Sequence, residues 1–261
     1  MNITIINDCR DANAVGRQVA RTSSLIEGNI SFVGVASDIE ASGNLIDILD
    51  GYGDSKALVI VNVAPRNGKS KKWKNGTPFG YFWYKDILVV TSIEGYTLSL
   101  IKKFDLTPSI NVMDIPTVME RFVQEGILSR ELADQTINTQ FRSYEFLPRV
   151  SAYLLENHDV VSEEYKIEEV ADVPSAVWWV DCFGNCKTTL LKKEISQDTQ
   201  TGEKFGEIKY YDRLKDVPDA TCALITGSSG LGSDRFLEIV IQGKSASSAC
   251  GLVSGDAVEF K

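Results

Sequence analysis

Histidine is almost absent from this sequence, because His158 is the only one among 261 residues. It lies in the polar stretch Glu156-Asn157-His158-Asp159, which is typical of an exposed loop. Histidine is a frequent zinc ligand and the usual base of a Ser-His-Asp triad. We therefore expect neither a zinc site nor a catalytic triad in this protein.

Basic residues are too few to balance the acidic ones. The 27 lysines and arginines face 36 aspartates and glutamates, which gives a formal net charge of −9. Proteins that bind the phosphate backbone need an excess of positive charge, so we expect no nucleic-acid partner. The basic cluster Lys69–Lys74 is interpreted as a solvated loop, with contact to an anionic ligand or a neighbouring subunit as the alternative.

Long apolar runs are missing as well. No stretch approaches the roughly 20 apolar residues that a helix needs to cross a bilayer, so we expect no membrane partner. The segment Met1–Asp8 lacks the basic start of a signal peptide and has the pattern of a strand. These features predict a cytoplasmic protein.

The cysteines do not form an obvious framework. They are odd in number and widely spaced, which argues against disulfides in a cytoplasmic protein. Cys182 and Cys186 are close in sequence, but no second pair follows them at a zinc-binding spacing. The five positions are Cys9, Cys182, Cys186, Cys222 and Cys250.

The first part of the chain alternates between strand-like and helix-like patterns. Ala57–Val63 is a nearly continuous apolar run, typical of a strand that is buried on both faces. Phe79–Tyr84 and Ile87–Thr91 predict a hairpin across Lys85-Asp86. We predict an α/β domain over residues 1–158 with a mainly parallel sheet.

Helical spacing is lost in the second part, and short apolar segments alternate there with glycine- and serine-rich turns. This pattern predicts a C-terminal all-β domain over residues 165–261, with an antiparallel, β-barrel-like sheet. Gly227-Ser228-Ser229-Gly230-Leu231-Gly232 predicts a hairpin loop within it. The acidic stretch Glu156–Glu164 is the expected linker. The predicted strands are Tyr165–Val170, Ala176–Val180, Lys187–Leu191, Glu207–Tyr211, Cys222–Thr226, Phe236–Ile241 and Ala257–Phe260.

The most informative stretch follows the predicted strand Ala176–Val180. It reads Asp181-Cys182-Phe183-Gly184-Asn185 and combines a carboxylate, an aromatic ring and an amide. Glycine and asparagine tolerate the backbone angles of a tight turn, so a plain hairpin turn is one interpretation. A ligand site is the other, because these three groups together suit a small polar molecule with one flat part.

Three predicted strand ends in the first part also carry polar residues. Asp8 ends the first strand, Ala64–Gly68 follows Ala57–Val63, and Thr91–Gly95 follows the hairpin. Ligands of open α/β sheets bind at the carboxyl ends of the strands. Such residues also terminate strands without any further role, so each segment alone is compatible with a purely structural function.

Taken together and in order, these segments resemble the S-adenosylmethionine hydroxide adenosyltransferase family, which includes fluorinating and chlorinating adenosyltransferases. The similarity extends over nearly the whole chain. Val180–Thr189 is similar to the family motif Ile-Asp-x-Phe-Gly-Asn-x-x-Thr-Asn. The other similar segments are Ile6–Asp8, Ala14–Gly16, Asp38–Ala41, Val61–Gly68, Phe141–Leu154, Ser228–Gly230, Phe236–Ile239 and Gly255-Asp256.

The resemblance implies an activity and an assembly. Family members hydrolyse S-adenosylmethionine to adenosine and methionine, or replace the methionine with a halide, by attack at the ribose C5′ carbon. They need no cofactor, since S-adenosylmethionine is the substrate. They are homotrimers whose site lies between the α/β domain of one subunit and the β domain of the next.

The resemblance also implies roles for residues at matching positions. Asp8 would accept hydrogen bonds from the ribose hydroxyls, and Asp181 would meet the methionine ammonium group. Phe183 and Asn185 would contact the adenine, one through its ring face and the other through its amide.

Three further positions complete the substrate-binding set that the resemblance implies. Asn67 lies in the segment that matches Val-Val-Asp-Pro-Gly-Val-Gly of the family. Ser228 or Ser229 would lie near the methionine carboxylate, beside an insertion around Leu231–Asp234 that the family lacks.

The sequence departs from the family where the hydrolases hold the attacking water. Their Asp, Arg and His positions are Ala64, Lys71 and Arg142 here. Alanine offers water no acceptor, and arginine cannot act as a base because it stays protonated. We therefore assign no catalytic residue, and Glu94 and Glu145 are the carboxylates available as replacements.

Three functions are compatible with these residues. The first is a divergent enzyme that binds S-adenosylmethionine and hydrolyses it. The second is a catalytically silent trimer that binds a nucleoside. The third is an enzyme on an anionic substrate, because Arg66, Lys69, Lys71 and Arg142 would place four cations near the former site.

Overall fold

The computed structural model describes residues 1–64 and 78–260. The chain divides into two compact units, Met1–Leu45 with Tyr52–Ala171 and Ile46–Gly51 with Asp172–Lys261. The first unit is mixed α/β, and the second is mostly β. The predicted fold class is confirmed.

The first unit contains a seven-stranded sheet with the order β2-β1-β3-β5-β4-β6-β7. The pairs from β2 to β5 are parallel, and those from β5 to β7 are antiparallel. The predicted hairpin reverses the strand direction, so the sheet is only partly parallel. The strands are β1 (Asn2–Asn7), β2 (Asn29–Gly34), β3 (Ala57–Asn62), β4 (Phe79–Tyr84), β5 (Ile87–Ser92), β6 (Ser109–Met113) and β7 (Glu163–Lys166).

Helices connect most of these strands. Several begin at side-chain caps, as where Asp11 accepts hydrogen bonds from the amides of Asn13 and Ala14. Within the second helix, the segment Ile46–Gly51 belongs to the second unit. The helices are α1 (Ala12–Ser23), α2 (Asp38–Tyr52), α3 (Ser99–Lys103), α4 (Ile115–Gln124), α5 (Arg130–Asn138) and α6 (Arg142–Leu155).

The main core of the first unit joins the sheet to α4, α5 and α6. Phe122 of α4 is fully buried and meets Tyr153 of α6 edge to face, with ring centroids 4.6 Å apart. Removing such large apolar surfaces from water is the main favourable contribution to folding. Burial of the apolar strand residues therefore also holds in place the strands whose ends carry the polar residues.

The second unit contains a six-stranded, curled sheet that forms a half-barrel, with the order β10-β11-β12-β13-β9-β8. All its pairs are antiparallel except β11 with β12. The helix α7 (Ala246–Cys250) packs against β13. The strands are β8 (Val177–Val180), β9 (Cys186–Leu191), β10 (Thr199–Gly202), β11 (Gly206–Tyr211), β12 (Cys222–Leu231) and β13 (Asp234–Ile241).

Three expectations for the second part differ from the structure. Of the strand expected at Tyr165–Val170, only Tyr165 and Lys166 belong to a strand, β7, which pairs with β6 in the first sheet; Ile167–Glu169 is a 3₁₀ helix. Ala257–Phe260 forms no strand, and only Ala257 makes an isolated bridge. Gly227–Gly230 is an irregular stretch inside β12 rather than a hairpin loop, since the strand resumes pairing at Gly230. The chain turns only at residues 232 and 233.

A membrane-spanning helix must be both long and apolar. Among residues 1–64 and 78–260, no helix combines the length and apolarity needed to cross a bilayer.

Candidate functional site

The parallel part of the first sheet contains a topological switch point. From β1 the chain continues through α1 to β2 on one side, whereas β3 lies on the other side of β1 and leads away from it. Open α/β sheets bind ligands in the crevice at such a point, outside the carboxyl ends of the strands. The candidate site of this unit therefore lies at the ends of β1 and β3.

Asp8 and Ala64 meet at this switch point. Asn7 and Asn62 are partners in the parallel register, so the residues that follow them are neighbours. The amide of Ala64 donates to Oδ2 of Asp8 at 3.1 Å, and the amide of Asp8 donates to the carbonyl of Asn62 at 3.2 Å. The predicted ribose-binding carboxylate thus lies beside Ala64, which the resemblance matches to the catalytic aspartate of the hydrolases.

A buried amide network holds the end of β1, and the sequence analysis did not identify it. Nδ2 of Asn7 donates to Oε1 of Gln18 at 2.8 Å, and its Oδ1 accepts the Cys9 amide at 2.8 Å. Nδ2 of Asn62 approaches the same oxygen at 3.4 Å. The signal in the sequence was an asparagine at the end of each of two apolar strands. This network fixes the backbone that presents Asp8.

Glu94 follows the end of β5, the parallel neighbour of β3. Its Oε2 atom is buried and has no hydrogen-bond partner among the described residues. The loop is held from α2, where Oδ2 of Asp38 accepts the amide of Tyr96 at 2.8 Å. An unpaired buried carboxylate oxygen is costly and needs an explanation, such as a bound water or a ligand.

The other candidate carboxylate, Glu145, is already engaged. It is buried in α6, and its two oxygens pair with Arg21 at 3.1 Å and with Arg149 at 3.5 Å. The Arg21 guanidinium also lies 4.7 Å from the ring centre of Tyr144. Arg142, at the family's histidine position, is the first residue of the same helix. Glu145 therefore neutralises the buried Arg149 and the partly buried Arg21 instead of presenting a free carboxylate.

The segment after Ala64 carries several of the predicted positions. Four of these positions lie outside the described residues: Arg66, Asn67, Lys69 and Lys71.

In the second unit, Asp181–Asn185 form a compact turn between β8 and β9. Oδ1 of Asp181 accepts the amides of Phe183 and Asn185, both at 2.9 Å. Its Oδ2 accepts Nδ2 of Asn185 at 2.9 Å. The structural interpretation of this motif is therefore correct, since the carboxylate organises the turn.

The same turn presents two groups outward. The Phe183 ring is 76% exposed, the highest value among the large exposed apolar side chains of the described residues. Oδ1 of Asn185 accepts no hydrogen bond within the described part of the chain. The structure thus places Asp181, Phe183 and Asn185 in one turn, with an exposed aromatic ring and a partly buried amide.

The start of helix α7 packs against the turn. Gly184 has a φ of +83°, which side chains rarely permit, and its carbonyl accepts the amide of Ser247 at 2.9 Å. A Cβ built at Gly184 would overlap Oγ of Ser245 and lie 2.9 Å from its Cα. The turn and the start of α7 therefore form one packed element.

The two candidate serines differ sharply. Ser228 is exposed, whereas Ser229 is only 3% exposed. Oγ of Ser229 accepts Nζ of Lys187 at 2.5 Å, and it lies near the carboxylate of Asp47. Ser229 is therefore committed to internal contacts, and Ser228 is the one that a ligand can reach.

Two carboxylates adjoin the irregular stretch of β12: Asp47, which is partly buried, and Glu238, which is buried. Oδ1 of Asp47 accepts the amide of Gly230 at 2.9 Å, and the Glu238 side chain packs against Gly227. Burial raises the pKa of both carboxyl groups, and the nearby charge of Lys187 opposes this rise. The sequence analysis missed this cluster because Asp47 is remote from β12 in the chain.

A metal centre would require several ligating side chains that converge on one point. No group of three or more His, Cys, Asp or Glu side chains within residues 1–64 and 78–260 is arranged to hold a metal ion.

Comparison with known proteins identifies similar structures but no family. No protein-family model and no curated protein matches the chain. An uncharacterized conserved protein from Thermotoga maritima is similar with a TM-score of 0.70 and 16% identity, covering 99% of this chain and 100% of that one. A conserved hypothetical protein from Thermus thermophilus is similar with a TM-score of 0.58 and 16% identity, covering 100% and 99%. At these identities, the chain shares the fold of both proteins.

Proposed function

We propose that this protein binds S-adenosylmethionine and hydrolyses it to adenosine and methionine. The observation that carries the proposal is the turn Asp181–Asn185, which joins an exposed ring, an open amide oxygen and an anchored carboxylate. A homotrimer remains part of the proposal, because the resemblance implies a ligand at each subunit boundary.

The turn suits the two ends of this substrate. An exposed aromatic ring offers a flat surface on which adenine can stack. Oδ1 of Asn185 is available to accept the adenine amino group. The Asp181 carboxylate has about four acceptor positions, of which three are used within the turn, so one is left for an ammonium group.

The strand ends suit the ribose. Asp8 is fixed by the amide of Ala64, and a carboxylate of this kind can accept further hydrogen bonds from hydroxyl groups. Net negative charge also favours a ligand with a positive sulfonium, which makes the third possibility, an anionic substrate, less favourable.

The reaction places few demands on the protein. The oxygen of water attacks C5′, the C5′–S bond breaks, and methionine leaves as a neutral thioether with the bonding electron pair. The water loses one proton. The sulfonium needs no acid to leave, so the protein mainly has to position the water and exclude competing solvent. We assign acceptance of that proton to Glu94, the half-buried carboxylate with an unpaired oxygen.

Binding is tested by calorimetric titration with S-adenosylmethionine. Phe183→Ala should weaken binding about ten- to a hundredfold, as expected for the loss of one aromatic–base stack. Leu214→Ala, another exposed apolar residue of the second unit, is the matched control and should leave the affinity unchanged. Equal affinities of the two variants would contradict the assignment of the turn.

Turnover is tested by chromatographic detection of adenosine and methionine. Glu94→Gln should abolish product formation while S-adenosylmethionine still binds. Native mass measurement of the same samples tests the trimer.

Binding without any product would favour the second candidate, a silent nucleoside-binding protein. Two observations support that alternative: Ala64 occupies the catalytic aspartate position, and Glu145 is held in ion pairs. Absence of binding would overturn both functions.

A further inference from the structure

Two thiols of the second unit lie in contact. Sγ of Cys222, at the start of β12, is 3.7 Å from Sγ of Cys250, at the end of α7. Both side chains are partly exposed, so a small oxidant can reach them. Both are free thiols in the structure.

We propose that Cys222 and Cys250 form a reversible disulfide that locks α7 and thereby regulates the turn Asp181–Asn185. The consequence for the ligand rests on the proposed function, whereas the bond and its effect on the turn do not.

The geometry requires only a small adjustment. A disulfide has an S–S length of about 2.05 Å, so the two sulfurs must approach by roughly 1.7 Å. Cys250 is the last residue of α7, and Gly251 ends the helix in the left-handed conformation with a φ of +61°. A side-chain rotation and a slight shift of this helix end can therefore bring the sulfurs together.

The neighbouring thiol Cys186 is a poorer partner. It is fully buried. An external oxidant cannot reach it without opening the core. The partly exposed pair Cys222 and Cys250 is therefore selected by access.

The oxidation balances with a low-molecular-weight disulfide such as oxidised glutathione. The thiolate of one cysteine attacks the glutathione disulfide, forms a mixed disulfide and releases one glutathione thiol. The second cysteine then attacks the protein sulfur of the mixed disulfide and releases the second glutathione thiol. Two protein thiols are oxidised by two electrons, and one glutathione disulfide is reduced to two thiols.

The rate of this exchange should depend on pH. Burial raises the pKa of the Cys222 thiol to about 12, so its thiolate is scarce near neutral pH. Because the thiolate is the attacking species, the bond should form faster as the pH rises.

Helix α7 connects this pair directly to the turn. Ser245 caps the start of the helix by accepting the amide of Ser248 at 3.0 Å, and its side chain packs against Gly184. The amide of Ser247 donates to the carbonyl of Gly184. A helix of only five residues has little stability of its own, so a covalent tie at Cys250 should restrict its start as well.

The experiment uses the full-length protein equilibrated with oxidised or with reduced glutathione. Peptide mass spectrometry should find Cys222 linked to Cys250 in the oxidised sample. The melting temperature should rise by about 5 to 10 °C. Cys250→Ser should abolish the link and the shift, whereas Cys182→Ser, a variant of an exposed thiol outside the pair, should retain the link.

Hydrogen exchange tests the coupling to the turn. Peptides that cover residues 181–185 and 245–250 should exchange more slowly in the oxidised wild type, but not in oxidised Cys250→Ser. A missing Cys222–Cys250 link, or a link without slower exchange in residues 181–185, overturns the proposal.

Ligand titration separates this proposal from the proposed function. Oxidation should strengthen S-adenosylmethionine binding about threefold, since a preordered turn loses less entropy on binding. If S-adenosylmethionine binds neither form while the link and the slower exchange are present, the proposed function fails and the redox coupling stands. If the ligand binds both forms equally, the regulatory part fails.

Discussion

Replacing Gly184 with alanine tests how tightly α7 supports the candidate ligand-binding turn. Gly184 has a φ of +83°, and a Cβ there would overlap the side chain of Ser245. The new methyl group can be accommodated only if the turn or the start of α7 moves. The hydrogen bond from Ser247 to Gly184 would then be stretched or lost.

The expected loss of stability follows from three contributions. A left-handed conformation costs a residue with a Cβ about 1–2 kcal/mol. The overlap with Ser245 amounts to overpacking, which typically costs about 1–3 kcal/mol. Loss of the Ser247 hydrogen bond adds about 1 kcal/mol. We expect Gly184→Ala to lower the free energy of unfolding by about 3–6 kcal/mol. This is a large share of the total unfolding free energy of a folded domain, which is about 5–15 kcal/mol.

Gly206→Ala is the matched control. Gly206 has a φ of +66°, but no atom lies within 4 Å of the place that a Cβ would take there, so only the backbone cost of about 1–2 kcal/mol applies. Urea unfolding followed by tryptophan fluorescence measures both variants. Equal losses for the two variants would refute the packing of α7 against the turn.

Three further predictions concern charge and packing. Burial raises the pKa of the Glu238 carboxyl group, so the native state binds this proton more tightly than the unfolded state does. Stability should therefore fall as the pH rises from the ordinary glutamate range through the raised pKa. Glu238→Gln should remove this dependence and raise the melting temperature near neutral pH, as measured by thermal scans in a pH series. Glu145→Gln leaves the buried Arg149 and the partly buried Arg21 without their carboxylate partner and should cost about 3–5 kcal/mol in urea unfolding, whereas Glu120→Gln, in an exposed ion pair, should change little. Phe122→Ala should cost about 3–5 kcal/mol in the same assay, because Phe122 is fully buried.

The sequence predicts the apolar strands well because their pattern is local. Ala57–Val63 and the hairpin of β4 and β5 appear almost as expected, since continuous aliphatic residues favour buried strands. Helix α5 was missed, because only Ala133 and Thr136 are buried in it and neither gives a clear apolar period. Its start was marked only by Ser129, whose side chain caps the helix.

Elements that depend on distant partners could not be predicted. Gly227–Gly230 has the composition of a hairpin loop, yet it stays within β12. The carboxylate of Asp47 accepts the amide of Gly230. A backbone group that the irregular strand leaves unpaired is thus satisfied by a side chain. No local pattern in the sequence reveals that Asp47 provides it.

The candidate site shows the same division between local and distant information. Asp181, Phe183 and Asn185 belong to one short segment, so their proximity follows from the turn itself. Asp8 and Ala64 are brought together by the parallel pairing of β1 with β3, which alternation of strands and helices made predictable. Ser229 is buried beside Lys187 and Asp47, which leaves Ser228 as the exposed serine. Only the structure reveals this arrangement, because these residues are distant in the sequence.

The choice between the two replacement carboxylates illustrates why pairing matters more than position. In the sequence, Glu145 lies close to the position matched to the family's histidine, and Glu94 follows a strand end. The sequence alone therefore does not choose between them as the carboxylate that accepts the proton of water. A group that takes a proton from water needs a free acceptor position near the reacting atom. Glu145 has both oxygens occupied by arginines, and moving it would leave the buried Arg149 and the partly buried Arg21 uncompensated. Glu94 has a buried oxygen without a partner among the described residues, so it is the carboxylate to which we assign the proton in the proposed hydrolysis.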